Sequence, residues 1–125
     1  MAKFKKAIVS LVACVLMMSA LTLNVGATKV TVTVNGAKGI AYLNVNSTTA
    51  TATTSFNSTG GSTSTTIIGR YYVKGTTDIK TTTNGGGGTT AAMASITNAG
   101  GTWVSVTSNH SFAYGSEHVA IDVEW

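Results

Sequence analysis

SNHSFAYGSEHVAIDVEW, residues 108–125, decides the fold. Gly115-Ser116 stands between two runs in which apolar and polar side chains alternate. Glycine accepts positive φ, and a two-residue type II′ turn takes it first. That turn predicts a hairpin in which Tyr114 faces Glu117, Ala113 faces His118, Phe112 faces Val119, His110 faces Ile121 and Asn109 faces Asp122. Side chains alternate faces along a strand. One face therefore collects Val104, Val106, His110, Phe112, Tyr114, Val119, Ile121, Val123 and Trp125. The other collects Thr107, Asn109, Ser111, His118, Asp122 and Glu124. One apolar and one polar face describe a strand pair laid over a core.

The same period of two recurs upstream. In TKVTVTVN (28–35), Val30, Val32 and Val34 share one face and Thr31, Thr33 and Asn35 the other. Asn35-Gly36 opens a turn and IAYLNVN follows as a second strand. TTATATTSF (48–56), TTIIGRYYVKG (65–75), TTDIKTTT (76–83) and TTAAMASIT (89–97) read as further strands, the third of these as a polar edge. Gly69 inside an apolar strand predicts a bulge or a close neighbour. NGGGG (84–88) reads as a flexible loop and NAGG (98–101) as a turn. No segment has helical periodicity with caps. About seven short strands with regular turn signals predict an antiparallel β-sandwich of immunoglobulin-like size, with a small barrel as the alternative.

Ahead of these strands, MAKFKK leads into an apolar run through residue 23, and Val25 and Ala27 are small. A basic start, an apolar middle and a small-residue end make a secretory signal peptide, residues 1–27. The apolar run lies at the short limit for a membrane span, so the expected product is one exported domain, residues 28–125, with no span after leader removal. Leu11-Val12-Ala13-Cys14 has the form of a lipidation box, but the apolar run continues past Cys14 instead of ending there. Three lysines and the single cysteine leave with the leader. The remaining domain is stabilised by burial and sheet hydrogen bonds, without disulfides. Its Lys29, Lys38, Arg70, Lys74 and Lys80 nearly balance Asp78, Glu117, Asp122 and Glu124. These cations are scattered, which argues against a nucleic-acid partner.

Chemistry-bearing residues are few. In the predicted register His110 and His118 point to opposite faces, which opposes a shared metal site. His118, Asp122 and Glu124 read as a solvated outer face, because an extended strand carries them too far apart for one ion. No Gly-x-Ser-x-Gly or P-loop ending occurs. The expectation is a non-enzymatic protein with no cofactor. Aromatic residues are the remaining handle. Trp103 has the opposite parity to Val104 and Val106, which predicts an outward indole, and one of Tyr71 and Tyr72 must face out. Exposed Trp and Tyr are platforms for sugar rings or protein partners. Trp103, Tyr71 and Tyr72 are the candidate ligand contacts, with a cell-wall glycan or surface protein as partner. Thr-rich, Pro-free edges add homo-oligomerisation through strands.

The export signal, the size and the β-rich, cysteine-free domain resemble small secreted proteins of Gram-positive bacteria. GGTW (100–103) and SNHS (108–111) resemble stretches of lactococcin-type bacteriocins, though those proteins carry them near the mature N-terminus. That likeness implies a secreted toxin as an alternative and carries over no functional residue. A self-assembling surface or matrix protein is the other alternative.

Overall fold

β-Branched and apolar residues at every second position form most of the strands of the computed structural model, which describes residues 7–10 and 27–125. In chain order the strands are β1 (Ala7–Ser10), β2 (Ala27–Val34), β3 (Ala37–Val45), β4 (Thr49–Phe56), β5 (Ser62–Tyr72), β6 (Ile79–Gly88), β7 (Ala91–Thr97), β8 (Thr102–Tyr114) and β9 (Glu117–Glu124). Eight of them, β2 to β9, lie in residues 27–125. The expected leader, Cys14 included, otherwise lies outside the described residues.

Two antiparallel sheets face each other, in the orders β1-β9-β8-β5-β6 and β2-β3-β4-β7. This is a sandwich and not a closed barrel. β4 pairs with β7 while β5 pairs with β8. The chain thus crosses between sheets and returns, interlocking them as in immunoglobulin-type sandwiches. The closing hairpin has the register its turn predicts, with Tyr114 opposite Glu117, His110 opposite Ile121 and Asn109 opposite Asp122. Gly115 has a φ of 63°. Asn35 and Gly36, at 49° and 83°, are left-handed together and join β2 to β3. Asn35 N–H donates to Glu117 Oε1 at 2.5 Å, tying that turn to the start of β9.

Val30, Val32, Val34, Leu43, Ile67, Phe112, Ile121 and Val123 meet between the sheets and are sealed from water. His110 is buried with them, as its place in the apolar stripe implies. Its ring is fully engaged. Nδ1 lies 2.8 Å from Thr54 Oγ1 and Nε2 lies 2.7 Å from Ser108 Oγ. Thr54 Oγ1 donates to the Ser64 carbonyl at 3.3 Å. With that hydrogen committed, Nδ1–H donates to Thr54 and Nε2 accepts from Ser108. Thr65, opposite His110 on β5, has a buried hydroxyl with no hydrogen-bond partner.

β6 and β8 depart from what the sequence predicts. NGGGG is strand and not loop: Gly85–Gly88 pair with Thr66–Thr63 of β5. Val104 is not a regular member of the apolar stripe. Arg70 pairs with Ser105 but Tyr71 pairs with Trp103, so β8 carries Val104 as an extra, bulged residue.

Candidate functional site

The bulge at Val104 determines where the indole next to it goes. An extra residue reverses the alternation beyond it. Trp103 therefore shares the inward parity of Tyr71 and is only 8% exposed, instead of standing on the outer face. Gly69 makes room for it: a Cβ there would lie 2.6 Å from Trp103 Cζ3. This is the close neighbour that a glycine within an apolar strand signals. Tyr71, also buried, meets the indole edge-on, with ring centroids 5.9 Å apart and planes at 86°. Tyr72 points the other way and is 41% exposed on the outer face of the sheet. The polar end of the indole is satisfied as well, since Trp103 Nε1–H donates to the Asn46 carbonyl at 3.0 Å.

Asn46 belongs to the turn between β3 and β4. Its side-chain Oδ1 accepts the backbone N–H of Thr48 at 2.9 Å and of Thr49 at 2.8 Å. This local pairing closes the turn and aims its carbonyl at the indole. Asn98, in the turn between β7 and β8, is wholly buried. Its Nδ2 donates to the Ser47 carbonyl at 2.9 Å, and its Oδ1 accepts Gly100 N–H at 3.1 Å. Its own backbone N–H donates to the Thr48 carbonyl at 3.0 Å. Two turns from different strand pairs are thus bolted together by one asparagine.

Between them and the end of β9 lies a cavity of about 420 Å³. Val45, Asn46 and Ser47 line one side, Gly101, Thr102 and Trp103 another, and Trp125 the third. The C-terminal strand delivers Trp125 here, with its N–H donating to the Val106 carbonyl at 2.9 Å. The indole of Trp125 is half-buried against the core. The chain's two tryptophans therefore share one cavity, and none of the lining side chains is charged. Aromatic surface beside amide, hydroxyl and carbonyl groups suits a neutral ligand with an apolar face and hydrogen-bonding edges.

Of the three aromatic residues expected to touch a ligand, Trp103 lines this cavity, Tyr71 braces it from the core, and Tyr72 stands apart. Asn46, Asn98 and Trp125 complete the arrangement and were not candidates from sequence. Trp125 alone had a signal, as a large aromatic closing an alternating strand. The two histidines face opposite ways: His110 is buried and His118 is exposed. Asp122 Oδ1 accepts from Asn109 Nδ2 at 2.6 Å. Among the described residues, no three of His, Cys, Asp and Glu gather as a metal-binding group. Comparison with protein-family models, characterised proteins and solved structures finds no match for this chain.

Proposed function

We propose that this is an exported, non-enzymatic binding module that takes a neutral glycan of the cell surface into the cavity between Trp103 and Trp125. One observation carries the reading: both indoles line a single cavity with no charged side chain, whose other walls are Val45, turn backbone, and amide and hydroxyl groups. Sugar rings have apolar faces that pack on aromatic surfaces and hydroxyl edges that pair with such groups. The volume lies in the range of small-molecule sites, about 300–1,000 Å³. Bolting by Asn98 and Asn46 supports the reading further, because a preformed site loses less entropy on binding. The leader-like residues 1–27 support the export part of this reading.

The placement of both tryptophans makes the test direct, since tryptophan emission, excited selectively over that of the four tyrosines, reports on the cavity. Titrating the exported protein with solubilised cell-wall glycan should give a saturable emission change. The same protein should pellet with isolated walls. Trp125→Ala, at a half-buried position, should weaken both by about tenfold or more, the loss of one stacking contact. Trp103→Phe should do the same while keeping the core filled. A flat titration together with no wall-dependent pelleting would sink the glycan reading.

A further inference from the structure

Each sheet of a sandwich ends in strands whose outer backbone groups have no ladder partner, and proteins cover or blunt these edges. The edge at β7 is covered. Asn84 Nδ2 donates to the Ser95 carbonyl at 3.0 Å, and Gly86 and Gly88 of β6 lie against the carbonyls of Met93 and Ala91. The edge at β9 is different. Trp125 N–H points to β8, where it meets the Val106 carbonyl. By the alternation of an antiparallel ladder, the N–H and C=O groups of Ala120 and Asp122 point away from β8. Their partners in this structure are in β1: Ile8 pairs with Asp122 and Ser10 with Ala120. β1 lies within the segment expected to be removed on export.

We propose that β9 is a strand-accepting edge, occupied by residues 7–10 in the precursor and by the β9 of a second copy once the leader is gone. β1 demonstrates that the edge is geometrically competent, since four consecutive residues pair there in register. The choice of a second copy rests on the sequence of β9 itself. Val119, Ile121 and Val123 are buried on the core face, and His118, Ala120, Asp122 and Glu124 alternate with them on the outer face. An antiparallel pair centred on Ile121 puts Ala120 opposite Asp122 of the second copy and His118 opposite its Glu124. Twofold symmetry makes that complementary contact twice.

Neighbouring registers are poorer. Centring on Asp122 opposes two like carboxylates, which is destabilising. Centring on Ala120 would draw Asp122 toward His118, but Asp122 is already held by Asn109. A one-residue slip sets apolar against polar faces. The favoured register continues each five-stranded sheet's remaining strands into one sheet across both copies, with both cores on the same side.

Sedimentation velocity on the full chain over a range of concentrations tests this. The intact chain, its edge taken by β1, should be monomeric. Ile8→Pro with Ser10→Pro removes the two donors through which β1 holds the edge, and should produce a dimer. Adding Ala120→Pro, which deletes an outward N–H of β9, should return it to monomer. On the proline-released background, His118→Glu or Glu124→Lys alone should weaken the dimer about tenfold, and the two together should restore it. That charge exchange needs no change of backbone, so it decides the matter if Ala120→Pro does not fold. A released chain that stays monomeric at every concentration would overturn the proposal. So would a dimer indifferent to the charge exchange, because it would use another surface.

Discussion

The His110 imidazole has no exposed surface, and both ring nitrogens are used by hydroxyls. Burial pushes its pKa from 6.5 down to about 4, against an opposing pull from Asp122. The folded protein therefore holds the ring neutral at a pH where the unfolded chain protonates it. Its contribution to stability is complete above the unfolded value of 6.5 and is lost as pH falls through the folded value of about 4. The loss is on the order of 3 kcal/mol. Urea midpoints should fall as the pH drops from 7 to about 4, and this contribution levels off below the folded value. Thr65 offers the opposite experiment. Its buried hydroxyl has no partner, so Thr65→Val removes an unsatisfied group at constant shape. The expected gain is about 1 kcal/mol, read as a rise of a few degrees in Tm.

At the scale of elements, β6 shows where composition misleads. Four consecutive glycines carry no side-chain pattern, so period two cannot be seen in them, and high Gly content alone signals a loop. Contact with a neighbouring backbone is what requires them. A Cβ on Gly86 would sit 2.4 Å from the Met93 carbonyl oxygen, and one on Gly88 would sit 2.1 Å from that of Ala91. On Gly85 and Gly87 the nearest atoms, the Thr65 and Thr63 carbonyl oxygens, are 3.4 and 3.5 Å away. Alanine should therefore be costly at alternate positions. Gly86→Ala and Gly88→Ala should each lose about 2 kcal/mol or more, because a strand must move. Gly85→Ala and Gly87→Ala should be neutral or slightly stabilising through the unfolded chain. Thermal melts of the four single variants would show the two-residue period that the sequence hides.

For the whole molecule, what could be read from sequence was whatever has a local cause. The β8–β9 register follows from Gly115 and its alternating flanks, and the sandwich follows from many such runs. Trp103 escaped because its direction depends on a bulge set by pairing between β5 and β8, strands far apart in sequence. The cavity escaped for the same reason, as Asn46, Asn98 and Trp125 meet only after both sheets have closed. Those long pairings also govern time. Thr49 must find Thr97 and Ser62 must find Ala113 before either sheet is whole. Closing such loops costs entropy ahead of any gain, so folding is slow, and β5 has no inner neighbour until β8 arrives. A chain exported as proposed crosses the membrane unfolded and leading with its N-terminal half. The connectivity then acts as a delay: β2, β3 and β4 can pair with one another as they emerge, but β4 waits for β7 and β5 for β8, so the two sheets are not both complete until residues 91–124 have cleared the channel.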